Sequence, residues 1–114
     1  MIDNTKLPPL DARPYHIEEQ GSTLKLAMKR EFDQFDHVWN WARDIVNACP
    51  GPYDTIEVDI SACANISSMF FAGLLMIRDT FKPTPIELRG VSNRIYHTLR
   101  VMCMDNMFSI QLTE

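Results

Sequence analysis

Residues 56–77 read IEVDISACANISSMFFAGLLMI, and the fold follows from the way this stretch changes character along its length. Ile56, Val58 and Ile60 alternate with Glu57 and Asp59, the period-two pattern of a strand with one buried face. Small residues fill positions 61–65, and two hydroxyls follow, Ser67 and Ser68. Behind them, residues 69–77 carry no polar side chain, and no other run in the chain is as apolar. A strand, a loop ending in serines and a buried helix make half of a parallel βαβ unit. A loop of this kind lies at the carboxyl end of its strand, where α/β folds place their sites. A serine there stands at a helix N-terminus, whose N–H groups and dipole favour negative charge. The corner therefore offers a phosphate-compatible hydroxyl beside an apolar helix.

Toward the N-terminus, residues 15–20 and 23–29 alternate as strands around Gly21-Ser22, a pair suited to a hairpin turn. Asp33 is placed to cap a helix over residues 34–48, with Asp36 in its first turn to suit the dipole. Phe35, Val38, Trp39, Ala42, Ile45, Val46 and Cys49 then form one apolar stripe, which leaves Trp41 off it and exposed. Pro50-Gly51-Pro52 ends that helix. Residues 1–14 hold three prolines and little periodicity, and read as an extended tail ahead of one domain over 15–114.

Toward the C-terminus, the apolar helix spans 68–81, and a proline-containing loop leads to a short strand over 86–89 that Gly90 breaks. Ser92 caps a third helix whose inner face is Ile95, Leu99 and Met102. Residues 107–112 alternate again through Phe108, Ile110 and Leu112. The order is a hairpin followed by α-β-α-β-α-β, so the later strands are expected to be parallel. Strands covered on both faces read as continuous apolar runs, whereas Glu57, Asp59, Glu87 and Arg89 interrupt these. One sheet face is thus predicted to be wet, with the helices on the other. Right-handed crossovers keep helices on one side only if the strands are laid down in sequential order. The predicted fold is α/β: an N-terminal β-hairpin, then a one-sided βα superhelix on a mostly parallel sheet.

The chain has 114 residues, enough for one core. A formal net charge of -4, with no cluster of basic residues longer than Lys29-Arg30, argues against nucleic acid or an anionic membrane as the partner. Three cysteines without a CxxC pair indicate neither a disulfide framework nor a zinc site. They fit free thiols in a reducing compartment, and with no signal peptide or spanning segment recognisable, a cytoplasmic protein is expected. His16, His37 and His97 have no ligand spacing, and no catalytic set or phosphate-cradling glycine loop can be picked out, so neither enzyme nor cofactor is expected.

Residues 58–75, VDISACANISSMFFAGLL, resemble the STAS domain of bacterial anti-sigma factor antagonists. The family pattern there is apolar-Asp-apolar, a small loop, then Asp-Ser-Ser-Gly-Leu-Gly and an apolar helix, and the two align without a gap. Asp59 falls on the family's strand Asp or Asn, and Ser68 on the serine that the family's partner kinase phosphorylates. Residues 88–110 are similar to the family's next strand, capped helix and closing segment. Four positions depart from the pattern: Ser67 replaces Asp, Met69 a second Ser, Phe70 Gly, and Asn93 Pro. The resemblance covers about 15–112 and implies a regulatory binding module. Its implied partners are an anti-sigma factor or serine kinase of the ATPase type, and a serine phosphatase of the PPM type. A constitutive structural subunit of a lipid-transport or signalling complex is the alternative, and self-association stays open.

The site residues expected from this reading are Ser68 as the phosphorylated serine, with Ser67 as the alternative acceptor. Either serine could be the helix cap while the other faces solvent. On the helix, Phe71, Leu74, Leu75 and Arg78 share one stripe, and Met69, Phe70, Gly73 and Met76 the other. A small domain cannot enclose both, so Ser67, Ser68, Met69, Phe70, Gly73 and Met76 are predicted to form an exposed docking patch. Methionine suits such adaptable surfaces.

Overall fold

A computed structural model describes residues 1–35 and 38–113 of the chain. Five strands form one sheet in the order β1-β2-β3-β4-β5. They are β1 (Tyr15–Gln20), β2 (Thr23–Met28), β3 (Thr55–Asp59), β4 (Ile86–Val91) and β5 (Ser109–Leu112). The first two pair antiparallel and the rest are parallel, with Val58 opposite Leu26 on one side and Leu88 on the other. This is the sequential order that the alternation of elements predicts. Three α-helices connect the parallel strands: α1 (Trp41–Ala48), α2 (Ser68–Phe81) and α3 (Asn93–Val101).

The pleat decides which side chains meet the helices. Leu24, Leu26, Ile56, Val58, Ile60 and Leu88 are essentially without exposure, and they form one core with Trp41, Ile45, Phe71, Leu74, Ile77 and Leu99 from the helices. Each such side chain contributes about 1.5–3 kcal/mol by leaving water. Residues of the opposite parity carry charge and stay wet. Glu57 pairs with Lys25 at 3.8 Å and with Arg89 at 3.2 Å. Arg89 reaches Glu87 at 2.8 Å, which also accepts from Gln111 Nε2 at 2.9 Å. The helices therefore cover one face of the sheet, and the other is open.

Some expectations change at the element ends. The strand over β4 continues through Gly90, which adopts φ +70° at a register irregularity against β5 and so bends the strand without ending it. Ser92 does cap α3, accepting from the Ile95 amide at 3.2 Å. Met102, expected inside, is exposed, and Met104 fills the core after Cys103 turns the chain at φ 59°. Residues 1–14 are not simply extended. They make two 3-10 turns, Asn4–Lys6 and Leu10–Ala12. Asp3 N donates to Ala48 O at 2.8 Å, and the buried Arg13 closes the loop by donating to Pro8 O at 2.7 Å and Asn4 Oδ1 at 3.2 Å.

The largest correction concerns the first helix. It begins at Trp41, seven residues later than the periodicity suggests, and two 3-10 turns, Phe32–Gln34 and Val38–Asn40, precede it. Its buried stripe is Val38, Trp41, Ala42, Ile45, Ala48 and Cys49. Trp41 is thus a core residue and Trp39 is 77% exposed, the reverse of the expectation. Both stripes have helical spacing. Trp41 packs inward because its ring stacks on Phe70 and fits over Gly73, where no side chain stands in its way. Asp33 caps no helix, and the expectation for Asp36 lies outside the described residues.

Candidate functional site

The loop from β3 to α2 is built by short local bonds. Asp59 Oδ1 accepts from the Ser61 amide at 2.8 Å, turning the chain sharply as the strand ends. Ile60 is buried and its amide donates to Arg89 O at 2.9 Å, and the Cys63 amide donates to Ile60 O at 3.0 Å. Arg94, near the start of α3, donates to Asn65 Oδ1 at 2.9 Å and holds the loop from outside. Burial, with the fields of Asp33 and Asp59 in the same direction, pushes the Cys63 thiol up. It packs as a neutral side chain whose Sγ donates to Lys29 O at 3.4 Å.

At the loop's end the two serines separate in role. Ser67 occupies the N-cap position with extended dihedrals, φ -81° and ψ 164°, yet its side chain makes no capping bond. Its Oγ donates instead to Asp33 Oδ1 at 2.6 Å, a short charge-assisted bond to a residue 34 positions away. Ser68 is the first residue of α2 and is exposed. Among the described residues its hydroxyl has no hydrogen-bond partner. The first-turn amides of α2 thus receive no side-chain cap from Ser67, and Ser68 stands beside them.

No protein-family model matches this chain, and no curated protein matches it in sequence. A solved structure does match: an anti-sigma-factor antagonist (STAS) domain protein from Planctomyces limnophilus. The TM-score is 0.72, with 88% of this chain and 91% of that chain covered, at 16% identity. The fold is a STAS fold. The resemblance read from residues 58–75 and the architecture agree on this point.

Within the STAS fold the outer strip of α2 is Ser68, Ala72, Met76, Asp79 and Thr80, all exposed. Ser68, Ala72 and Met76 recur every four residues and so lie in one row on the same face. This redraws the expected patch. Phe70 is fully buried, stacked on Trp41 with centroids 5.5 Å apart and 4° between planes, and cannot be a surface anchor. Gly73 is buried too, directly under the Trp41 indole, where an added methyl would overlap the ring. Met69 is half-buried and Met76 is 43% exposed. The reason is the late start of α1: it turns Trp41 onto Phe70 and Gly73, on the side of α2 expected to be exposed.

Two residues join this neighbourhood that the sequence reading used elsewhere. Trp39 stands at the lip of a shallow notch of about 120 Å3 that it shares with Trp41, Met69, Ala72, Gly73 and Met76. Asp33 holds Ser67. A signal for Trp39 was present, since the stripe through Trp41 fits the helical period equally well. For Asp33 no local signal exists, because its partner is remote in sequence. Among the described residues no group of three or more His, Cys, Asp or Glu could hold a metal ion, and no helix is long and apolar enough to cross a membrane.

Proposed function

We propose that this chain is a cytoplasmic bacterial regulatory module of the anti-sigma-factor-antagonist type, without enzymatic activity, that docks a protein partner through the outer strip of α2 and is switched by phosphorylation of Ser68. The observation that carries the reading is the position of Ser68: an exposed, unpartnered hydroxyl heading the row that continues through Ala72 and Met76. The docking residues are Ser67, Ser68, Met69 and Met76, with Ala72 between them. The partner is an anti-sigma factor or a serine kinase of the ATPase type. The kinase transfers the γ-phosphoryl group of ATP to Ser68 Oγ, whose proton is released, and a serine phosphatase of the PPM type hydrolyses the ester. Ser68 is the acceptor in preference to Ser67, whose proton is engaged by Asp33.

A phosphate adds roughly -1.5 to -2 charges. The helix N-terminus accommodates them, so the fold persists, while docking is lost because the charge must be desolvated against the partner. The test is titration calorimetry of wild type, Ser68→Ala and Ser68→Asp against the partner captured from the host, with melting curves as control. Ser68→Ala is expected to bind as wild type and to resist the kinase, and Ser68→Asp to fold but bind more weakly. Equal affinities for all three, with no phosphate on Ser68 in protein purified from its host, would leave the chain a constitutive STAS subunit of a larger complex.

A further inference from the structure

We propose that Asp33 reads the charge at position 68: a phosphate on Ser68 takes over the Ser67 hydroxyl, and the Phe32–Gln34 turn, still anchored by Phe32, loses its polar tie to the start of α2. The inference rests on the reading of Ser68 as the modified residue.

The segment in question runs from Lys29 to Phe35. Its buried anchor is Phe32, whose ring meets Trp41 at 5.6 Å and Phe70 at 5.9 Å, edge to face. Short backbone bonds shape it, Gln34 N to Glu31 O at 2.8 Å and Phe35 N to Phe32 O at 3.4 Å. Among the described residues, two hydrogen bonds tie it to the loop before α2. One is the thiol bond from Cys63 to Lys29 O, weak by its chemistry. The other is Ser67 Oγ to Asp33 Oδ1 at 2.6 Å. Asp33 is therefore the principal polar link between the segment and the α2 N-terminus.

That link is placed where a new anion would break it. Ser68 is the immediate neighbour of Ser67, whose Oγ lies 2.6 Å from Asp33 Oδ1, so a phosphate on Ser68 brings a second anion to the same end of α2. It is a stronger acceptor than a carboxylate, it is attracted to the uncapped amides of α2, and it repels Asp33. Ser67 can donate its single proton to only one of the two. Both candidates form charge-assisted bonds with that one proton, and the more highly charged acceptor is favoured.

The experiment needs no partner. Amide spectra of labelled wild type, Ser68→Asp, Asp33→Asn, the double variant and Ser67→Ala are compared. Asp33→Asn keeps an acceptor for Ser67 and removes the charge. Ser68→Asp is expected to move the Gln34 and Phe35 resonances toward their positions in Ser67→Ala, and the Asp33→Asn background to cut that shift at least twofold. No shift, or a shift of the same size in both backgrounds, overturns the proposal. The two readings fail separately. Docking lost in Ser68→Asp without any Gln34 or Phe35 response removes the role of Asp33 and leaves the switch. A response that depends on Asp33, with docking unchanged, removes the switch and leaves the link.

Discussion

The indole of Trp41 lies parallel to the ring of Phe70, 4° between planes, and its Nε1 donates to Met69 O at 3.3 Å. One ring thereby joins α1 to the first turn of α2 and closes over Gly73. Gly73→Ala is predicted to destabilise the domain. The added methyl gains up to about 1 kcal/mol of helix propensity, but it must displace the indole, and overpacking of this kind costs roughly 1–3 kcal/mol. Urea titration should show the midpoint falling with an unchanged slope. A raised midpoint would mean the indole moves aside freely.

Phe70→Ala removes the ring on which Trp41, Phe32 and Phe71 converge. A loss of about 3–5 kcal/mol is expected for an enclosed phenylalanine, a large share of the stability of a domain of this size. The melting transition should drop steeply or vanish. A midpoint close to wild type would restore Phe70 to the surface.

The two tryptophans should be distinguishable in solution. Trp39→Ala is expected to alter stability by no more than about 0.5 kcal/mol, as for other exposed sites. It should leave blue-shifted emission, from Trp41, that acrylamide quenches poorly. Partner affinity should weaken by about 1–3 kcal/mol if Trp39 takes part in docking. Loss of the quenchable component on substitution of Trp41 instead would reverse the assignment.

Glu19 supplies a pH dependence. The Tyr53 hydroxyl donates to its Oε2 at 2.7 Å and the Ile2 amide to its Oε1 at 2.9 Å, with the Met1 amine 3.6 Å away. These contacts, the Tyr53 bond foremost, hold the carboxyl below its ordinary value of 4.5. A depressed folded value means the unfolded chain binds the proton more readily. The stabilisation is therefore complete above pH 4.5 and is lost as pH falls through the lower folded value. Tyr53→Phe and Glu19→Gln should each flatten this part of the stability profile, and Tyr53→Phe should add nothing once Glu19 is replaced. Unchanged acid profiles in both variants would exclude the contribution.

Periodicity was a sound guide in the strands, where one face of the sheet is polar. The hairpin, the core strand and the span of α2 are legible in residues 15–28, 55–60 and 68–81, because alternation marks the strands and the long run without charge marks the helix. It could not say which side of an all-apolar helix is covered, since Met69–Phe70–Phe71 offers three large side chains and no charge to point outward. The answer lay in Trp41, whose own orientation depends on where α1 begins. That start is set by tertiary packing of Phe32 and Val38 rather than by a local cap, so the helical phase was lost and Trp39 exchanged places with Trp41. The Asp33–Ser67 bond is non-local and left no trace in composition or spacing.

The uncovered sheet face carries a row of opposite charges across three strands, Lys25 to Glu57 to Arg89 to Glu87, ending on Gln111. Any neighbour laid flat on it would have to strip water from four ionised groups at once, at several kcal/mol for each one left imperfectly matched. The row works as a fender. Stacking of two such faces is disfavoured by that cost, which leaves the helical layer and the strand edges as the cheaper directions of approach.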